Sequence, residues 1–279
     1  MRVLAIDTAL EACSVALLDI AQPERAVHES LPMARGHAEA LMPMIARVFE
    51  RARLDPNQLD RIAVTVGPGS FTGLRVGIAA ARGLALATGK PAIGLTTLAA
   101  YAAPLIAAND AVPVVSAIDA RHDHVYLQVF GAGGLTLVKP AVLPVAEAAR
   151  AARGGPPRLI GTGAEMLVRA WPAGAPRPVL IDNRRAPDIE WVARLGAAAP
   201  ETSTPPKPLY LRAPDAQPQA AAQLARRLSR FSPNCLRAAN RSCRTPARAM
   251  PPQSPCCTAS RSSAAGARMK LKACWSSAT

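Results

Sequence analysis

One run of this 279-residue chain has more chemical reach than any other: Gly67-Pro68-Gly69-Ser70-Phe71-Thr72-Gly73-Leu74-Arg75-Val76-Gly77, set where an aliphatic strand passes into a helix. A glycine-rich turn into a helix leaves backbone N–H groups and the positive helix end pointing outward, which makes Gly67, Gly69, Ser70 and Thr72 a candidate anion-binding loop. The run departs from the stronger motifs. Leu74-Arg75 follows Gly73 where a P-loop carries Lys-Ser/Thr, and Ser70 lacks the flanking glycines of a nucleophile elbow. The competing account is structural: Ser70 or Thr72 caps the helix and the glycines permit a tight turn.

Two acids end aliphatic strands at comparable places, Asp7 before Thr8 and Asp119 before Ala120-Arg121. In two-domain nucleotide-binding folds such acids face a shared cleft and hold a metal-bound phosphate; each carboxylate can equally cap a turn through its own backbone. Among the histidines, His28, His37, His122 and His124, the close pair is His122-Asp123-His124. In a strand, its imidazoles project one way and Asp123 the other, giving two ligands without a third, so no metal is expected. His37 with Glu39 reads as the solvated first turn of a helix. No residue is assigned a catalytic role.

The elements that position these groups follow from periodicity. Arg2 to Asp7, Ala12 to Asp19 and Arg25 to Leu31 read as strands of an antiparallel meander. Leu41, Ile45, Val48, Phe49 and Ala52 recur at helical spacing within Gly36 to Arg53, with Pro43 expected to kink the first turns. A strand over Arg61 to Val66, a helix over Thr72 to Thr88 and a strand over Ala92 to Leu95 continue the pattern and imply parallel pairing. In the second of these helices Gly73, Gly77, Ala81 and Ala85 recur every four residues. Glycine in a helix interior costs about 1 kcal/mol against alanine, so this smooth face implies close packing, against either the same chain or a partner helix.

A second unit is expected from about Pro104, with strands over Val112 to Asp119 and Val125 to Phe130. Helices are expected over Val145 to Arg153, Ala164 to Trp171 and Ile189 to Ala198, separated by short strands at Arg158 to Ile160 and Pro178 to Ile181. The division is residues 1–104, 105–218 and a tail 219–279, and the fold class α/β. The halves are alike in outline without a convincing sequence repeat.

The formal charge of +14 belongs largely to that tail: no acid follows Asp215, whereas 11 of the 33 basic residues do, leaving 22 basic against 19 acidic before it. The body is nearly neutral, which weakens the case for a nucleic-acid surface spread over it. Five of the six cysteines also fall in the tail, without Cys-x-x-Cys pairs or a disulfide framework. Its Arg, Ser, Pro and Ala lack hydrophobic period, so disorder is expected and an out-of-frame origin would account for the missing acids. The opening residues lack the form of a signal peptide and no apolar stretch reaches spanning length, so a cytoplasmic protein with no membrane partner is expected.

Met1-Arg2-Val3-Leu4-Ala5-Ile6-Asp7-Thr8-Ala9, the glycine run, Gly94-Leu95-Thr96-Thr97-Leu98, Ala117-Ile118-Asp119-Ala120-Arg121, Gly161-Thr162-Gly163 and Pro208-Leu209-Tyr210-Leu211-Arg212 together resemble the TsaB family over residues 1 to about 218. The resemblance implies the actin and sugar-kinase (RNase H-like) fold and a part in placing threonylcarbamoyl on adenosine 37 of tRNA. It also implies a pseudo-enzyme. The catalytic sibling family, TsaD, carries a metal-binding His-x-x-x-His pair where Thr97 and Tyr101 stand here. By the same resemblance the partners are TsaD-like and TsaE-like proteins, with tRNA met through the complex; a homodimer without the sibling is a competing reading. Leu41, Met44, Ile45, Val48, Gly73, Gly77 and Ala81 would face the partner. No cofactor would be held by the isolated subunit, and ATP would enter only in the assembled complex. The alternatives are a metal- or ATP-dependent hydrolase or transferase of the same fold, and a nucleic-acid-binding protein acting through its basic tail.

Overall fold

The computed structural model describes residues 1–108, 111–152, 155–201 and 204–212. The tail, and with it the expectation of disorder there, lies outside the described residues. The chain opens with the expected meander: β1 (Arg2–Asp7) pairs antiparallel with β2 (Ala12–Asp19), and β2 with β3 (Val27–Pro32). Then β4 (Arg61–Gly67) lies parallel to β1, and β5 (Ala92–Thr96) parallel to β4, giving the order β3-β2-β1-β4-β5. Side chains on a strand alternate between its two faces. One face, with Leu4, Ile6, Val15, Leu17, Ile62 and Val64, packs on α1 (His37–Ala52) and α2 (Phe71–Thr88). The other, with Val3, Ala5, Ala16, Leu18 and Ala63, packs on α6 (Ile189–Ala198). Burial on both faces is why β1, β2 and β4 are nearly unbroken aliphatic runs. Pro43 is accommodated inside α1 on its exposed side.

The second sheet repeats this plan. In it β6 (Val114–Asp119), β7 (His124–Phe130) and β8 (Thr136–Pro144) form an antiparallel meander, while β9 (Arg158–Ile160) pairs parallel with β6 and β10 (Leu180–Asp182) parallel with β9. The order β10-β9-β6-β7-β8 is the first sheet's order counted within its own half, so topology shows the repeat that residue identities conceal. Two short helices, α4 (Val145–Ala151) and α5 (Ala164–Arg169), cover one face through Ala148, Ala149 and Leu167. This is a mixed α/β fold of the actin and sugar-kinase type, with two five-stranded mixed sheets flanked by helices.

Each half sends its last helix to the other half's sheet. After β5, α3 (Thr97–Ala108) buries Leu98, Tyr101 and Ala102 against Val114, Ile118, Phe130 and Ile160 of the second sheet, and α6 returns from the second half to the first. Both crossings end on an arginine that opens the corresponding parallel strand. From the start of β4, Arg61 donates to the carbonyls of Gly196, Ala197 and Ala199 at 2.8 to 3.1 Å, where α6 runs out of internal partners. From the start of β9, Arg158 donates to Leu105 O and Val112 O, each at 2.6 Å, around the end of α3.

Two elements are not legible in the sequence. Thr97–Ala108 has no polar face, because it is wedged between sheets, and so shows no amphipathic period. Pro104 consequently lies inside this helix and not at a boundary. Residues of β8 include Lys139, Pro140 and Pro144, which argue against a strand; β8 is an edge strand, where proline is tolerated. No helix among the described residues is long and apolar enough to cross a membrane.

Candidate functional site

The glycine run forms the end of β4, a turn and the start of α2. Its hydrogen bonds turn inward. Ser70 N–H donates to Ala9 O at 2.7 Å, Gly73 N–H to the capping Ser70 Oγ at 3.3 Å, and Leu74 N–H to Ser70 O at 2.9 Å. The glycines sit where the chain presses on itself: a Cβ on Gly69 would collide with Ala9 O, on Gly73 with Thr8 O, and on Gly77 with Thr8 Oγ1. Thr8 in turn donates its hydroxyl to Gly73 O at 2.7 Å. Gly67, at φ 120°, lets Leu209 approach, and the Leu209 N–H donates to Val66 O at 2.7 Å. Of the candidate anion-binding positions, Gly67, Gly69 and Ser70 are thus occupied with intrachain packing and capping, and Thr72 is exposed. The loop's local role is to seat α2 on the end of β1.

This corrects the reading of the small-residue face. Gly73, Gly77 and Ala81 are buried against the chain's own β1 and β4, with the Ile6 and Val64 methyls 3.6 Å from a Cβ at Gly77. Leu41, Met44, Ile45 and Val48 are buried in the same core, on the inward side of α1. None of the seven is available to a partner, because the hydrophobic period that marks them is the period of the core. The outward sides of the two adjoining helices carry other residues: Met42, Pro43 and Ala46 on α1, and Phe71, Arg75, Ala79, Arg82 and Leu86 on α2.

The two strand-end acids differ in burial and in partners. Asp7 is fully buried, its Oδ1 accepting from Ala9 N–H at 3.1 Å and from the Thr65 hydroxyl, while Oδ2 has no hydrogen-bond partner among the described residues. Burial pushes its carboxyl above the ordinary value, against the lowering effects of the Thr65 and Ala9 bonds. Asp119 is exposed and accepts from Arg121 N–H at 2.7 Å, a local turn. Both acids therefore serve the backbone, and Asp7 is sealed off from any cleft.

The histidines also differ from the sequence reading. Arg121, His122 and Asp123 have φ of 63°, 51° and 57°, so the motif is a left-handed turn and not a strand, and His124 Nδ1 lies 2.6 Å from His122 O. His37 is buried, its Nε2–H donating to Leu10 O at 3.2 Å, instead of lying in a solvated turn. Thr97 and Tyr101 are both fully buried on α3, and the Tyr101 hydroxyl donates to Arg184 O at 3.1 Å. Burial, with the Asp7 charge second, holds that phenol protonated far above its ordinary range. The body's Cys13 is buried and its thiol is pushed up to about 11.

One cluster escapes sequence reasoning. Residues 205–212 run back along the first half, and there Tyr210 stacks on Phe71 with ring centroids 5.4 Å apart. The Arg75 guanidinium lies 3.7 Å over the other aromatic neighbour, Phe71, and its Nε–H donates to Tyr210 Oη at 3.2 Å. Phe71 is 48% exposed and Tyr210 46%. No local pattern could join Arg75 to a residue 135 positions away.

Against known proteins, residues 31–166 match the family model for TsaD, tRNA N6-adenosine threonylcarbamoyltransferase. The tRNA threonylcarbamoyladenosine biosynthesis protein TsaB of Escherichia coli is 43% identical over 126 residues, 45% of this chain and 53% of that one. Its Haemophilus influenzae counterpart is 41% identical over 126 residues, 45% of this chain and 52% of that one. The chain thus spans about half the length of these curated relatives. The solved structure of YeaZ from Pseudomonas aeruginosa is 33% identical with a TM-score of 0.64, over 75% of this chain and 99% of that one. A third of the residues and nearly the whole of a solved fold are shared, together with two curated matches of the same name, and on that ground this chain belongs to the TsaB family.

Proposed function

We propose that this chain is a non-catalytic subunit of the bacterial machinery that forms N6-threonylcarbamoyladenosine at position 37 of tRNA, pairing with a TsaD-like subunit. The observation that carries the reading is the state of Thr97 and Tyr101. The sibling enzymes are expected to hold a metal with two histidines here; this chain has a buried threonine and a buried phenol committed to Arg184 O. Neither side chain is an imidazole ligand, and neither is open to one side of a cleft. The sealing of Asp7 and the inward hydrogen bonds of the glycine loop point the same way.

A subunit without its own site contributes through a surface. The outward faces of α1 and α2, with Met42, Pro43, Ala46, Phe71, Ala79 and Leu86, form the surface we assign to the TsaD-like partner. A TsaE-like ATPase would join the pair, so that ATP and tRNA enter only with the assembled complex. The test is co-purification of the full chain with the TsaD-like subunit of the same cell, followed by a tRNA modification assay omitting each subunit in turn. Modification that needs both proteins, with no turnover by this chain alone, is the expected result. Turnover by the isolated chain, or full modification without it, refutes the reading.

A further inference from the structure

The outward side of α2 differs from that of α1 in charge. Helix α2 contains no acid; it carries Arg75 and Arg82 and is followed by Lys90. Neither Arg82 nor Lys90 makes an ion pair among the described residues, whereas on α1 Arg47 is held by Glu29 at 2.6 Å and Arg51 by the same acid at 3.8 Å. Beside these cations stand Phe71, Tyr210 and Leu86, the last 86% exposed. An exposed phenylalanine ordinarily loses rotamer freedom on docking. Here the order exists beforehand. Phe71 stacks on Tyr210 and carries the Arg75 guanidinium over its ring, Arg75 bonds the Tyr210 hydroxyl, and Tyr210 is held in turn by the neighbouring Leu209–Val66 bond.

We propose that the Tyr210–Phe71–Arg75 stack is a pre-assembled anchor of the docking surface, and that it fits a protein pocket that is apolar at its floor and carboxylate-bearing at its rim. The proposal rests on the reading given above, and its occupant is the TsaD-like subunit. Phe71 supplies the buried contact, since aromatic and arginine side chains on rigid supports are the usual centres of binding energy. Arg75 and Arg82 select for rim acids and raise the encounter rate more than the final affinity. Tyr210 is a positioning residue, acting through Phe71. The strap of residues 205–212 thereby has a function besides closing the fold: it sets the geometry of the surface at the start of α2.

The test measures affinity between the purified full chain and the TsaD-like subunit at low and high salt, with folding checked by circular dichroism. Phe71→Ala should weaken pairing at least tenfold. Tyr210→Ala should weaken it on its own but add little to Phe71→Ala, a non-additivity that general loosening of the strap would not produce. Arg82→Glu should slow association, with the loss shrinking at high salt. Ala46→Glu and Leu86→Glu probe the wider face. If these two abolish pairing while Phe71→Ala and Tyr210→Ala leave it intact, the docking face stands and the anchor is refuted. If all five variants pair as the parent does, the face and the anchor both fall. A stacked aromatic beside free cations also suits RNA, so tRNA binding is measured in parallel; loss of tRNA affinity with pairing unchanged would overturn the proposal in favour of a nucleic-acid surface.

Discussion

Three glycines of α2 provide a comparison in which the same substitution should act with opposite signs. At Gly83 an added Cβ meets nothing within 4 Å, so Gly83→Ala should gain the helix preference of alanine, about 0.5 to 1 kcal/mol. At Gly77 the new methyl collides with Thr8 Oγ1 and touches the Ile6 and Val64 methyls at 3.6 Å. Thr8 can turn aside only by giving up its 2.7 Å bond to Gly73 O, leaving a buried hydroxyl without that partner, at a cost of about 1 to 3 kcal/mol, with overpacking adding about as much. Set against the same propensity gain, Gly77→Ala should destabilise by roughly 1 to 5 kcal/mol. At Gly73 the colliding atom is Thr8 O, a backbone atom at the end of β1 that has no rotamer to adopt, so Gly73→Ala should cost more than Gly77→Ala. Urea denaturation of the three variants, followed by circular dichroism, gives the order. If Gly77→Ala and Gly73→Ala unfold at or above the midpoint of Gly83→Ala, the small-residue face is not packed on β1 and the docking surface assigned to the other side of α2 loses its basis.

Arg61→Met and Arg158→Met should each lower stability by about 2 kcal/mol, since each removes charge-assisted bonds to helix-end carbonyls, and denaturation midpoints check this. Asp7→Asn should be more stable than the parent at neutral pH: burial raises the Asp7 pKa, so the folded parent retains a proton that the unfolded chain releases, and its stability falls as pH rises from about 4 through the folded value and levels off above it. Unfolding curves across that window should show the gap between the two proteins opening with pH; a constant gap would refute the assignment. Tyr101→Phe should cost about 1 kcal/mol through the lost bond to Arg184 O while leaving partner affinity unchanged. The double variant Thr97→His, Tyr101→His should show no threonylcarbamoyl transfer by itself, because two imidazoles placed in a packed core have neither further ligands nor a cleft.

What could be read from the chain and what could not divide along a physical line. Elements with a pattern of their own advertise themselves: α1 shows its helical period, and β1, β2 and β4, buried on both faces, their aliphatic runs, so the first sheet was legible nearly strand by strand. Elements whose surroundings erase such a pattern do not. With no polar face, α3 has no period, and β8, on an edge, tolerates the prolines and lysine that hide it. The site shows the same division with a consequence for function. Leu41, Met44, Ile45, Val48, Gly73, Gly77 and Ala81 carry a strong pattern because a core imposes one, and for that reason they mark the inward sides of α1 and α2. The outward residues obey no periodic rule, and Tyr210 reaches Phe71 only through the fold.

The exchange of helices between the sheets bears on what such a body can do. An enzyme of two hinged halves needs each half to hold together while the cleft opens. Here the first sheet's far face is covered by α6 from the second half, the second sheet by α3 from the first, and each crossing is fastened at its end by an arginine from the receiving sheet. Opening would expose Val3, Ala5, Leu18, Val192 and Ala193 on one side and Leu98, Tyr101, Ile118 and Phe130 on the other, all buried apolar surface with a cost of about 25 cal/mol for each Å² uncovered. Glu11 and Arg185, paired at 3.1 Å, and Arg212, donating to Ala120 O at 3.1 Å, tie the same halves at the surface. A body joined in this way holds its two halves together through two buried apolar contacts, each closed at its end by an arginine.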